Sequence, residues 1–419
     1  MKLLAWALPA IIAASFPRYA HGFAWKADGL YRAVRPCYRA GLFNPCNTTV
    51  NLTGLTEDVT HRVTQFLEME QEILTLHWHS DLTGEMRGAS KWHGKVHVKQ
   101  LYFERDFLAS CNLTAGRRIL RWGTGYAFNP TDFVAPEKDL ADPENKDREV
   151  DGNDMIKVEY FGEDWSIAAC LSTRFHADIE PDQTGGAFRL NRRLHNVDVS
   201  AAILSNEHET PVWGFNFATA AGKRTEIHGE ASFQKGDYGS YHKVLDNNYQ
   251  LFYERPFEQL REDSDKCFAQ YLVGVQYTLS RDNLCVLEYF HRDQGYSKAE
   301  WRRVTGYAGY LRGWLQTGQA SLAAINLAWS LDVFSARGAM HDYVVAYARS
   351  PSERTAGLEL ALLLNAADMS RVWLPQVTIS AGKGVTLFVR GAILSGAADS
   401  EFGSAIQSRL VDAGIRFRP

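Results

Sequence analysis

The stretch that decides the fold is Gly116–Asp132, GRRILRWGTGYAFNPTD. Its first half reads as a β-strand carrying three arginines, Arg117, Arg118 and Arg121, and a tryptophan, Trp122. It then breaks at Gly123 and Gly125, which permit backbone turns that other residues resist. Asn129-Pro130 starts a turn that Asp132 can cap. A soluble core does not take arginines unless they are paired. A strand that sends arginines inward belongs in a fold whose interior holds water.

The rest of the chain repeats a period of two with almost no helical pattern. Ile156, Val158 and Tyr160 alternate with Lys157 and Glu159, and Ile227, Gly229, Ala231 and Phe233 alternate with His228, Glu230 and Ser232. Tyr271, Val273, Val275 and Tyr277 alternate with Gln270, Gly274 and Gln276. Val411, Ala413, Ile415 and Phe417 alternate with Asp412, Gly414 and Arg416. Many segments extend toward nine to eleven residues, the length of a tilted strand crossing a bilayer. One face is apolar with aromatics at its ends, and the other is polar. That is the pattern of a transmembrane antiparallel β-barrel, all-β, apolar to lipid and polar to the lumen. A soluble β-sandwich also alternates, but its strands are shorter and it has no reason to place aromatics at strand ends.

The segments number 14 to 18, with 16 the central value because single-chain bacterial barrels have even counts. Longer polar connections fall at Asn129–Asp154, His176–Arg193, Asp237–Lys266 and Gly295–Gly318. They read as extracellular loops or loops folded into the lumen. Residues 25–60 read as an irregular N-terminal segment, and 61–419 as the barrel.

The N-terminus, MKLLAWALPAIIAASFPRYAHGFA, has Lys2 ahead of an apolar run of signal-peptide length, so residues 1–24 read as a signal peptide. The expected location is the outer membrane of a Gram-negative cell. A net charge of −4 argues against a nucleic-acid binder. The 11 Trp and 18 Tyr supply the residues that prefer membrane interfaces. Six cysteines form no CxxC or Cys/His cluster, so no metal and no cofactor is expected. Cys37 and Cys46 flank a short Pro- and Gly-bearing loop that a disulfide could close.

Leu101–Phe133, LYFERDFLASCNLTAGRRILRWGTGYAFNPTDF, resembles a bacterial outer-membrane barrel family related to alginate-export-type porins. The resemblance rests on an aromatic-acidic strand start, a Gly-Arg opening, then Trp-Gly and Asn-Pro-Thr-Asp. Fainter echoes are ADPENKDREVDGNDMIKVEYF, LEYFHRDQGYS at Leu287–Ser297 and SGAADSEFGS before the last strand. The resemblance implies fold and location rather than substrate.

Physically, Arg117, Arg118 and Arg121 on the wall, with Asp132, Glu137 and Asp139 on the following loop, would build a charged constriction. Fields of this kind select permeant solutes by sign. The same residues could equally be structural pairs that hold the loop. Arg121 is expected to face the lumen if Trp122 faces lipid or the interface. His77 and His79 share a strand face but lack a third ligand, and nothing marks a nucleophile turn or a phosphate loop, so the chain does not read as an enzyme. The expected function is passive passage of small polar or anionic solutes. The rival is a plugged barrel that anchors a surface polysaccharide or sheathes a partner protein. Its surroundings are outer-membrane lipid, with a homo-oligomer or a periplasmic or surface partner left open.

Overall fold

In Asn153–Phe161, the inward Asn153, Met155 and Lys157 are buried, while Ile156 and Val158 are exposed. The apolar side chains are therefore on the outside. The same inversion runs round the molecule. Phe215, Val273, Leu287, Val389 and Val411 are exposed, while His228, Glu230, Glu288 and Asp412 are each at most 3% exposed. Only a wall with lipid outside and packed polar groups inside satisfies both faces.

The computed structural model describes residues 23–38, 41–43, 59–71, 76–87, 93–108, 110–135, 152–172, 184–206, 210–236, 241–258, 265–280, 283–334, 338–350 and 356–417. Its strands are β1 (Phe23–Tyr38), β2 (Thr60–Gln71), β3 (Leu76–Arg87), β4 (His93–Leu108), β5 (Cys111–Arg118), β6 (Asn153–Phe161) and β7 (Trp165–Ser172). They continue with β8 (Gly185–Leu194), β9 (Val197–Asn206), β10 (Val212–Ala220), β11 (Thr225–Lys235), β14 (Cys267–Thr278) and β15 (Leu284–Arg292). The last are β16 (Asp342–Ser350), β17 (Ala356–Asn365), β18 (Arg371–Ser380), β19 (Val385–Ser395) and β20 (Gln407–Phe417). Two short strands, β12 (Tyr241–His242) and β13 (Phe257–Glu258), pair with each other inside one connection.

The large sheet has 18 strands, each antiparallel to its chain neighbours in the wall. β1 pairs with β2 on one side and with β20 on the other, Gly29 facing Phe417 and Cys37 facing Arg409, so the pairings run full circle. A closed ring leaves no edge to lipid. Pro375 has no N–H to give, and the β18–β19 register is interrupted there, between Trp373 and Gln376.

Alternate connections are short: 162–164, 195–196, 221–224, 279–283 and 381–384 lie at the end where β1 begins and β20 finishes. At the other end are 119–152, 236–266 and 293–341. This segregation of short turns and long loops to opposite ends is that of transmembrane β-barrels, and β1 starts at the short-turn end.

Three expectations need correction. Residues 25–38, read as irregular, form most of β1. Much of His176–Arg193 is strand, in β8. Gly295–Gly318 is mainly a helix, α1 (Lys298–Trp314), followed by α2 (Ala320–Trp329). Ser297 and Glu300 form a reciprocal capping box at the start of α1, with Glu300 N–H donating to Ser297 Oγ over 3.3 Å and Ser297 N–H to Glu300 Oε2 over 2.7 Å. Among the described residues no helix is long and apolar enough to cross a membrane.

Candidate functional site: a segment across the lumen

After Arg118 the chain leaves the wall and enters the barrel. Residues 119–135 cross from β5 toward β15 and β16, the latter diametrically opposite in an 18-strand ring. Tyr126 stacks on Tyr347 of β16 at 4.2 Å, and Phe128 stacks on Phe290 of β15 at 4.2 Å.

Two buried wall carboxylates fix the crossing. Glu230 of β11 accepts from the N–H groups of Thr124, Gly125 (2.6 Å) and Thr131 (3.0 Å) and from the Thr131 hydroxyl (2.8 Å). Glu288 of β15 accepts from the N–H groups of Tyr126 (2.5 Å) and Ala127 (3.1 Å), with His228 Nε2 2.9 Å from its Oε1. Asn216 of β10 donates to the Trp122 carbonyl and to Thr131 Oγ1, and Asn153 of β6 donates to the Val134 carbonyl at 2.5 Å. An irregular segment in a water-poor interior must satisfy its own backbone, and here the barrel wall supplies the acceptors.

The motif residues build the local turn. Asp132 accepts from Trp122 N–H at 2.6 Å and from Arg121 at 3.3 Å. Asn129 donates to the Gly125 carbonyl, and Asp132 N–H to the Asn129 carbonyl, with Pro130 buried between them. A Cβ on Gly125 would sit 2.1 Å from the Phe128 carbonyl oxygen, and one on Gly123 2.6 Å from Asn129 Cβ. Both glycines are needed for close approach.

The three arginines part company. Arg118 points inward and pairs with Glu104 of β4 at 2.8 Å. Arg117 faces the opposite side of β5. It pairs with Asp154, its register neighbour on β6, at 2.7 Å, both on the outer face near the long-loop end. Arg121 belongs to the crossing segment and pairs with Asp132. Trp122 does not meet the condition of facing lipid: it is 3% exposed in an inner apolar cluster with Phe133, Val134, Met155, Cys170, Leu204 and Val212. The strand ends before it, so the alternation that would place it outside no longer applies. Glu137, Asp139 and Cys46 lie outside the described residues, as do the side chains of His77 and His79; Cys37 is a free thiol on β1. Among the described residues no group of His, Cys, Asp and Glu could hold a metal ion.

The crossing divides the interior. On the β6–β10 side the Trp122 cluster fills the space. On the other side the wall stays polar. Arg390 Nε of β19 donates to Asp412 of β20 at 2.5 Å, and Arg32 of β1 lies 3.9 Å from the same carboxylate. Glu359 and Gln376 meet at 3.3 Å on β17 and β18.

Nearer the long-loop end, α1 and α2 pack on the wall. Trp301, Val304, Tyr307, Ala308 and Leu311 of α1 join Phe290, Tyr343, Val345 and Leu363 in one cluster. Asn326 of α2, fully buried, donates to the Phe252 carbonyl and accepts from Phe252 N–H and the Tyr307 hydroxyl. His242 lies beside them, and burial pushes its ring down to about 4. Trp301 Nε1 donates to the Asp399 carbonyl, tying the hairpin to the connection before β20. There Glu401, in the short helix α3 (Glu401–Ser404), accepts from Ala339 N–H, from the Tyr343 hydroxyl (2.8 Å) and from Asn365 (2.6 Å). Burial pushes its carboxyl up to about 7, against the pull of those three bonds.

A closed transmembrane barrel with a segment folded across its lumen is the architecture of the outer-membrane porins. Among solved structures, Acinetobacter baumannii OccAB1 is similar over 96% of this chain and 98% of its own, with TM-score 0.55 and 8% identity. Pseudomonas aeruginosa OccK5 (OpdH) is similar over 94% and 97%, with TM-score 0.51 and 8% identity. The outer membrane protein OprD from Pseudomonas aeruginosa is similar over 94% and 93%, at the same TM-score and identity. At 8% identity these likenesses show the fold. No family model matches the sequence, and no curated protein matches it.

Sequence reasoning missed Glu230, Glu288 and Glu401 as anchors. Glu288 and Glu401 sit inside two quoted stretches, LEYFHRDQGYS and SGAADSEFGS. An acid on the polar face of a strand looks like lumen lining, and nothing local says that a backbone segment will arrive to use it.

Proposed function

We propose that this barrel is an outer-membrane channel for small polar solutes, with a bias toward anions, exported by residues 1–24 acting as a signal peptide. The observation that carries this is the divided lumen. The crossing segment closes the β6–β10 half with apolar packing and leaves a wall bearing Arg32, Arg390 and Asp412 on the other. A solute would pass between the segment and that wall. Arg32 and Arg390 flank Asp412 on that wall, with Glu359 two strands from Arg390 on β17, and the bias toward anions is assigned to the arginine pair. Arg117, Arg118 and Arg121 contribute less than their number implies, because each is matched by a carboxylate. The work is selection and diffusion without covalent chemistry.

Conductance of the refolded protein in a planar bilayer tests this, with and without deletion of Glu137–Asp151. Stable steps with an anion-selective reversal potential are expected, growing on deletion. Cation preference in the native protein would overturn the anionic bias. The helical hairpin favours a second reading, a plugged barrel that anchors a partner. No conductance in either form would establish that one.

A further inference from the structure

At the long-loop end, the outer face of the wall is not uniform. On β5 and β6 its charges are matched, Arg117 with Asp154. On β15 and β16, His291 lies between Asp342 (2.7 Å) and Asp293 (3.1 Å), and Asp342 also accepts from Tyr289. The arc formed by β18, β20 and β1 carries arginines at this level. Arg371, Arg409 and Arg35 are all exposed there.

Alternation puts the three on the outside. Arg371 is of opposite parity to the inward Val372 and Leu374, as Arg409 is to Asp412 and Arg35 to Arg32 and Val34, all buried. Arg409 faces Cys37 in register, two residues along β1 from Arg35. Arg371 faces Ser395 on β19, two residues from the Ile393 that faces Arg409. With strands about 4.8 Å apart and a rise of about 3.4 Å per residue, the Cα of Arg409 falls roughly 8 Å from that of Arg35 and roughly 12 Å from that of Arg371, with Arg371 and Arg35 roughly 20 Å apart at the two ends of the row. Arg371 and Arg409 make no ion pair among the described residues. Directly toward the membrane from them stand exposed Val411 and Ile393, then Val377, Ile379 and Val389.

We propose that Arg35, Arg371 and Arg409 form a site on the lipid-facing wall for the phosphorylated headgroup of a glycolipid in the outer leaflet. Guanidinium forks match phosphate oxygens two at a time. The apolar band beneath takes the acyl chains, so one ligand meets both surfaces at once. A soluble anion would use only the first. The proposal rests on the placement of the barrel in the outer membrane and not on transport through it.

The test compares the refolded wild type with Arg371→Gln/Arg409→Gln, both exposed positions outside the packed interior. Native mass spectrometry from detergent micelles would read retention of bisphosphorylated lipid A, dephosphorylated lipid A and phosphatidylglycerol. Wild type is expected to retain the bisphosphorylated lipid, and the double variant to bind it on the order of tenfold more weakly. Dephosphorylated lipid should bind the wild type as poorly. Arg371→Lys/Arg409→Lys should fall between, keeping charge without the fork. Equal retention by wild type and the Gln variant would overturn the site. Equal binding of phosphatidylglycerol would overturn the glycolipid assignment, and displacement by millimolar inorganic pyrophosphate would reassign it to a free anion. Heat-modifiable gel mobility verifies folding, and unchanged conductance of the variant separates this outcome from that of the channel reading.

Discussion

Among the segments that pack inside the wall, the crossing segment and the α1–α2 hairpin are held by opposite means. Residues 119–135 are pinned by main-chain N–H groups reaching buried carboxylates. The α1–α2 hairpin is held by side-chain packing around Trp301, Tyr307 and Leu311. The first depends on a few wall acceptors in place, with Tyr126, Phe128 and Trp122 adding packing against the wall. The second spreads its stabilisation over an apolar face. Damage to the first should therefore be concentrated and change the constriction, while damage to the second should be local to the mouth.

The sharpest way to break that contrast is Glu230→Ala. It leaves the N–H groups of Thr124, Gly125 and Thr131 without acceptors. At about 1–3 kcal/mol per buried orphan, a loss of about 4 kcal/mol is expected. Urea unfolding in lipid vesicles would measure it, together with larger, noisier conductance steps. An unchanged step size would mean the crossing does not depend on its wall acceptors. Trp301→Ala should cost about 3 kcal/mol through the cavity it leaves. Its effect should appear as faster proteolysis within 293–341, with conductance steps as steady as in the wild type.

Gly125→Ala comes next, at about 2 kcal/mol, because the turn must open to clear the Phe128 carbonyl. A smaller effect concerns pH. Glu401 has a folded value near 7, above its ordinary 4.5. Its network is thus most stable below pH 4.5 and loses stability as pH rises through about 7. Melting temperatures at pH 5 and pH 8 should differ in that sense, and Glu401→Gln should flatten the difference. Arg390→Ala at the wall should shift the reversal potential toward cations, and because it leaves the buried Asp412 carboxylate with Arg32 3.9 Å away, a fall in melting temperature should accompany the shift.

The barrel was legible because period two and lipid-facing apolar residues are local. Lys157 against Ile156 and Val158 can be read from five residues, and described strands such as β7 and β14 alternate in the same way. The turn chemistry of Gly123, Gly125, Asn129, Pro130 and Asp132 was legible for the same reason. The helix α1 was also written locally, in Ser297-Lys-Ala-Glu300 and in the spacing of Trp301, Val304, Thr305 and Ala308. Gly306, Gly309 and Gly313 masked it, since glycine lowers helix propensity by about 1 kcal/mol per residue. The anchors of the crossing segment were not legible. Glu230 is 99 residues from Thr131 and Glu288 is 162 from Tyr126, and only the closed wall brings them together.

The seam between β1 and β20 has a consequence for assembly. The first strand finds one of its two partners only when the last strand is available, some 380 positions later in the chain, as with Tyr31 opposite Ile415. Closing so long a loop is entropically costly and kinetically slow. Until it closes, β1 and β20 each present a row of unpaired backbone groups, the condition in which chains pair with the wrong neighbour. The seam is therefore where this protein most needs an escort on its way to the membrane. The register shift between Cys37 and Tyr38 adds one irregular step that a mispaired strand would have to reproduce.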